Sequence, residues 1–249
     1  MTSNILTTFM ATFTPVTLKT ERLQLRFIHN NDAPAVFGIH ADPETMRYFS
    51  STPWEHLGQA VEHIEKTLKD CADGNALRLM IVLRDGEHPG QLIGSITLYA
   101  FDRRNHRCEI GYILARPHWG RRYMQEALAA MIAYAFGPLE LRRLEADIHP
   151  DNIASERLLA SQYFQREGHL RQRWHVGDEV SDSIIYGLLR TDWEAAIHPA
   201  QSPAIPAKAQ LIGFHYALHE RADTVLSSQH VLHGDTYEQA EHPSRAGPV

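Results

Sequence analysis

Two adjacent arginines, Arg121 and Arg122, sit in the polar run Ala115-Arg116-Pro117-His118-Trp119-Gly120-Arg121-Arg122-Tyr123-Met124. A β-rich stretch, residues 108–114, leads into that run, and a helical pattern with Met124, Leu128, Met131 and Ala135 leads out of it. A loop that opens a helix is a ready anion site. The first N–H groups of a helix have no partner inside it, and the helix dipole places partial positive charge at the same end, so a phosphate is favoured there. Trp119, Gly120, Arg121, Arg122, Tyr123 and Met124 supply such amides, and the guanidiniums can add charge-assisted contacts. The competing reading is a pair of solvated surface charges. A second helix start, Asp151-Asn152-Ile153-Ala154-Ser155, offers Asp151 or Asn152 as a cap, with Ser155 in the first turn.

The elements that must hold these loops follow from periodicity. Leu23, Leu25 and Phe27 alternate with polar residues as in a half-buried strand, and Asn30-Asn31-Asp32 with Pro34 starts a helix through Val36, Phe37 and Ile39. Residues 42–54 read as a loop, followed by a helix with Ala60, Val61, Ile64 and Leu68 on one face. Apolar runs at 77–83, 92–99 and 108–114, joined by short polar connections, predict an antiparallel meander. After the helix that Gly137-Pro138 ends come a strand at 143–148, a helix at about 152–162, and strands at 164–175 and 183–189. The expected fold class is α+β, an open mixed and mostly antiparallel sheet with helices on both sides. Residues 1–17 read as a flexible leader, 18–195 as the domain, and 196–249 as a linker and partly disordered tail with a short amphipathic helix at 211–225.

Composition narrows the classes. A chain of 249 residues with 43% hydrophobic content can bury a full core. Its net charge of −6 argues against a general nucleic-acid binder and suits cationic amine or basic peptide substrates. Cys71 and Cys108 have no metal-like spacing and read as reduced. With no signal-peptide pattern and no span-length apolar run, a cytoplasmic protein without membrane contact is expected. His215 and His219 lie four residues apart with His230 and His233 beyond, but no further ligand has compelling spacing, so no metal is expected. No Gly-x-Gly-x-x-Gly follows a strand, which disfavours a dinucleotide-binding oxidoreductase.

Glu109-Ile110-Gly111-Tyr112-Ile113-Leu114, followed by Trp119 through Leu128, resembles the acetyl-CoA-binding segment of GNAT N-acetyltransferases of the RimJ/RimL branch. The opening Thr20-Glu21-Arg22-Leu23-Gln24-Leu25-Arg26 and the Asn152-x-x-Ser155 motif are similar to the same branch, and the likeness spans residues 18–193. The resemblance implies acetyl transfer from acetyl-CoA to a primary amine by direct attack, on a protein N-terminus or a small amine, in a monomer or homodimer. It implies that the loop at 119–124 holds the diphosphate and that Tyr112, Ile113 and Leu114 act through main chain with side chains in ordinary packing. Asn152 would meet the pantetheine arm, and Ser155 would assist the leaving thiolate. Glu109 is the candidate proton acceptor, with His118 and His149 as alternatives that titrate near neutrality. Glu109 also reads as a surface partner for Arg107. Tyr48, Phe49 and Trp54 are candidate acceptor-pocket walls or plain packing. Asp182 is placed before the final strand, ordering its hairpin and lining the acceptor entrance. Departures from the pattern are Arg122 and Tyr163 where the branch has glycines, and Leu159 where many relatives carry a tyrosine acid. The two lost glycines, the weakly assigned base and a tail without likeness to the branch motivate a rival reading, a catalytically weak CoA-binding or interaction module.

Overall fold

The computed structural model describes residues 13–86 and 88–198. Strands β1 (Leu18–Lys19), β2 (Leu23–Arg26), β3 (Leu77–Leu83), β4 (Leu92–Asp102), β5 (Arg107–Leu114), β6 (Arg143–Ile148), β7 (Gln165–Val176) and β8 (Glu179–Leu189) form one sheet. Their order is β1-β2-β3-β4-β5-β6-β8-β7. Every neighbouring pair is antiparallel except β5 and β6, which run parallel because helix α4 (Tyr123–Phe136) crosses between them. The 8-stranded mixed sheet bears out the expected α+β class.

Strand alternation sorts the two faces. Leu23, Leu25, Leu79, Ile96, Ile110, Leu144 and Tyr186 point to one side, where α4 brings Met124, Leu128, Met131 and Phe136, and α5 (Ile153–Ser161) brings Leu159. Met80, Val82 and Ile113 point to the other, under α1 (Ala33–His40) and α3 (Leu57–Ala72) with Val36, Ile39, Ala60 and Ile64. Glycine at 137 caps α4 as its sequence implies.

Three sequence expectations shift. The stretch 42–54 contains a short helix, α2 (Pro43–Met46), with Asp42 holding the Thr45 hydroxyl at 2.7 Å. Asp32 precedes α1 without capping it by side chain; its carboxylate instead accepts from Arg26 at 2.8 Å and from the His29 amide at 2.7 Å. The last strand begins at Glu179, so Asp182 lies inside β8 and not ahead of it. The chain continues into α6 (Arg190–Ile197), and the tail histidines and the 211–225 segment lie outside the described residues.

Candidate active site

The site starts where two strands part. β5 pairs with β6 over Arg107–Glu109 against Arg143–Glu145 and then leaves it, although β5 runs on to Leu114 and β6 to Ile148. β6 keeps its bonds to β8, and β5 keeps β4, so a wedge opens with main chain exposed along one edge of Ile110 to Leu114. Glu109, Gly111 and Ile113 face the α1/α3 side, while Ile110, Tyr112 and Leu114 face α4.

At the mouth of the wedge, Gly120 adopts φ 71° with open space where a Cβ would stand, and Arg122, which precedes α4, adopts φ 62° and ψ 15°. A left-handed arginine costs about 1–2 kcal/mol, so the loop keeps a glycine-like path with a charged residue on it. The first helical bond runs from the Glu126 amide to the Arg122 carbonyl at 3.1 Å. Among the described residues, the amides from Gly120 to Gln125 have no hydrogen-bond partner. Arg121 and Arg122 are exposed and, among the described residues, make no ion pair.

A clamp that the sequence does not announce fixes this loop. Glu126 accepts the Thr20 hydroxyl at 2.5 Å, the Arg22 amide at 2.8 Å and the Arg22 Nε at 2.7 Å, while Arg22 donates to the Arg121 carbonyl at 3.1 Å and lies 4.6 Å over the Tyr123 ring. Burial works against the Glu126 charge, but these donors hold its carboxyl below the usual range. The Trp119 indole turns back and donates to the Leu114 carbonyl at 2.7 Å, tying the loop to the end of β5.

On the α4 face, Asn152 caps α5 by accepting the Ser155 amide at 3.1 Å, and Leu159 is fully buried. Tyr112 packs against the core, as expected of a strand side chain, apart from its hydroxyl. Its buried hydroxyl has no well-formed hydrogen bond among the described residues; burial pushes the phenol up and nearby Ser155 pulls it the other way. Tyr163, at φ 68°, occupies the left-handed position of a complete helix-ending motif, with Tyr163 N–H to Ala160 O at 3.1 Å and Phe164 N–H to Leu159 O at 3.1 Å. The turn is thus strained rather than rebuilt.

The opposite face carries the titratable groups. Tyr99 stands directly across from Glu109, and its ring lies 3.3 Å from where a Cβ on Gly111 would be. Burial, then Glu109, then the charge of Asp147 push the Tyr99 phenol up. Asp147 was not singled out by spacing, yet its side chain is 9% exposed and burial raises its carboxyl above the usual range. Tyr48 stacks on His149 at 5.1 Å, and the His149 Nδ1 accepts the Asp151 amide at 3.1 Å. Trp54 packs deeper, stacked on His40 at 4.2 Å and edge-on to His63 at 5.2 Å. Burial lowers those two histidines to about 4 and about 3, with Arg78 bonded to His63. His118 is buried, and burial and then Arg121 lower it. Alternation puts Asp182 on the α4 face, its carboxylate taken by the His169 ring at 2.7 Å and the Gln172 amide at 2.8 Å.

Comparison with known proteins agrees with this geometry. Residues 22–165 match the model of the acetyltransferase (GNAT) domain. An uncharacterized N-acetyltransferase, p20, of Bacillus licheniformis is 35% identical over 177 residues, 71% of this chain and 98% of that protein. A ribosomal-protein-serine acetyltransferase of Escherichia coli is 27% identical over 68% of this chain and 93% of its own length. A crystal structure of a GNAT-family acetyltransferase from Bacillus anthracis superposes with a TM-score of 0.62 at 25% identity, covering 70% of this chain and 98% of that one. Among the described residues no helix is long and apolar enough to cross a membrane. The chain belongs to the GNAT acetyltransferase family and is an acetyl-CoA-dependent N-acetyltransferase.

Proposed function

We propose that the protein acetylates a primary amine, a protein N-terminal amine or a small amine, by direct attack within the β5/β6 wedge. The observation that carries this reading is the juxtaposition of the wedge with the uncommitted amides at the start of α4. Those amides, from Gly120 to Met124, fit a diphosphate, and Arg121 and Arg122 add charge beside them. The exposed main chain of Tyr112, Ile113 and Leu114 offers donors and acceptors to an extended arm, although Trp119 already uses the Leu114 carbonyl. Asn152 spends its oxygen on Ser155 and keeps its amide donors for the same arm. When bound, acetyl-CoA supplies a thioester carbonyl for the amine to attack.

Ser155 and the Tyr112 phenol lie together on the α4 face, where a leaving thiolate would need hydrogen-bond donors. Glu109, on the acceptor face beside Tyr99, is the acceptor for the proton that the amine nitrogen sheds as it bonds to the thioester carbon. Tyr48 and His149 border the acceptor entrance, Trp54 supports its wall from beneath, and Asp182 orders the β7–β8 hairpin. The retained left-handed backbone at Arg122 and Tyr163 leaves the loop and helix paths intact, which weakens one of the grounds for a catalytically weak module.

Calorimetry with acetyl-CoA, followed by thiol release against peptides with free N-termini, spermidine and an aminoglycoside, tests the reading. Coenzyme binding with thiol release from one of these amines is the expected result. Absence of coenzyme binding overturns it.

A further inference from the structure

Asp147 is a buried carboxylate at the wedge to which acetyl transfer, as set out above, gives no task. β6 holds β8 through Ile148 but has lost β5 beyond Glu145, so Asp147 projects from the open arm on the α1/α3 side. Extending the register of Glu109 opposite Glu145 brings Asp147 level with Gly111, over which the Tyr99 ring lies, 3.3 Å from where a Cβ would stand.

Its two oxygens are treated unequally. The Ser183 hydroxyl donates to Oδ1, and the Trp174 indole donates to the same atom at 3.4 Å. Among the described residues Oδ2 has only the Arg173 Nε, 3.6 Å away, on a half-exposed side chain where the pairing of β7 with β8 is irregular. One oxygen is therefore fixed and the other is open to a new donor. The neighbouring carboxylates are differently placed: Glu145 is engaged by Arg107 at 2.8 Å and Arg143 at 2.7 Å, and Glu109 faces the Tyr99 phenol. The charged and titratable groups around Asp147 are thus Tyr99 from β4, Glu109 from β5, Glu145 from its own strand and Arg173 from β7.

We propose that Asp147 receives the acceptor as an ammonium on Oδ2, with Trp174 as the adjoining wall, and accepts its proton. This rests on the acetyl-transfer reading and adds the residue that selects a cationic amine. In the step, one N–H bond of the ammonium breaks, its electron pair stays on nitrogen as the nucleophile, and the proton bonds to Oδ2 before passing to solvent. Burial strengthens the affinity of this carboxylate for the proton, which favours the transfer.

The test is Asp147→Asn in the full chain, which keeps an acceptor for Ser183 and Trp174 and removes the charge. Acetyl-CoA affinity and melting temperature are measured, then spermidine and an alanine-leading tripeptide are titrated into the CoA-loaded protein, and kcat/KM is followed from pH 6 to pH 9. Coenzyme affinity should stay within about twofold, since the sites are separate. Amine affinity should fall about tenfold, and kcat/KM about 100-fold at neutral pH, recovering as the amine deprotonates unaided. Melting temperature should hold or rise, because a buried charge whose carboxyl is raised costs stability above that raised value.

Full amine affinity and rate in the variant overturn the proposal while leaving acetyl transfer standing. A lowered melting temperature with an unchanged pH profile also overturns it, by assigning Asp147 to structure alone. Failure of the unaltered protein to bind acetyl-CoA removes the parent reading and this one with it. If the unaltered protein binds coenzyme but turns over neither amine, amine titration of the CoA-loaded forms decides: loss of binding in the variant supports Asp147, and equal binding overturns it.

Discussion

The two sides of the wedge are built from different materials. On the proposed donor side, residues 120–125 present main-chain amides, held by a clamp of Thr20, Arg22 and Glu126. On the proposed acceptor side, Tyr99, Glu109, Asp147, Tyr48 and His149 present side chains from β4, β5, β6 and the loops beside them. Backbone recognition depends on chain path, which tolerates replacement of a glycine by Arg122 as long as the left-handed conformation is kept. Side-chain recognition changes with every substitution. Donor use is therefore the fixed property of this fold, and acceptor choice the adjustable one.

Acid should separate the two sides most strongly. His40 and His63, under α1 and α3, are held neutral by burial at about 4 and about 3. Their folded values lie below the unfolded value of 6.5, so the unfolded chain binds more protons and stability falls as pH drops from about 6.5 toward 4. Each contributes about 1.4 kcal/mol per pH unit at most, and a few kcal/mol should be lost in total. Urea titrations across that range should show the loss, and His63→Phe should flatten it; an equally steep loss in the variant would break the assignment.

The next effect falls on the donor side alone. Arg121→Ala with Arg122→Ala should weaken acetyl-CoA binding by about 2–3 kcal/mol, about 100-fold, for two charge-assisted contacts. Calorimetry at two salt concentrations checks it, and unchanged affinity would return both arginines to solvated surface. Smaller still is Tyr112→Phe, expected to lower kcat about tenfold by removing a donor near the leaving sulfur. Because the buried hydroxyl lacks a well-formed partner, the variant should be no less stable. A lower melting point without a change in kcat would make Tyr112 a packing residue. Smallest is Tyr163→Gly, expected to raise stability by about 1 kcal/mol through relief of its left-handed backbone, with kinetics untouched, as denaturant unfolding would show.

How much of this was legible in the sequence follows the same division. The strand, loop and helix at 107–136 repeat in space the order they have in the chain, so the start of α4 and the cap at Asn152 follow from periodicity and capping, while the phosphate role of the loop rests on the family resemblance. Asp147 could not, since Arg143-Leu144-Glu145-Ala146-Asp147-Ile148 alternates like any half-exposed strand. Its burial comes from Trp174, Ser183 and Arg173, brought over by a hairpin that forms later in the chain. The Glu126 clamp was hidden for a similar reason, its partners Thr20 and Arg22 lying 106 and 104 residues away. Asp182 was misplaced because its polar surroundings, Asp178, Glu179 and Ser181, read as a turn, whereas the turn closes by Glu179.

Only three residue pairs join β5 to β6. Among the described residues they are the paired rungs between a half-sheet of β1 to β5 and a half-sheet of β6 to β8, which also share the core under α4. A molecule lying along the parted edges takes the place of missing rungs, so occupancy stitches the halves together, and the same chemistry that delivers the reactant also braces the framework that receives it.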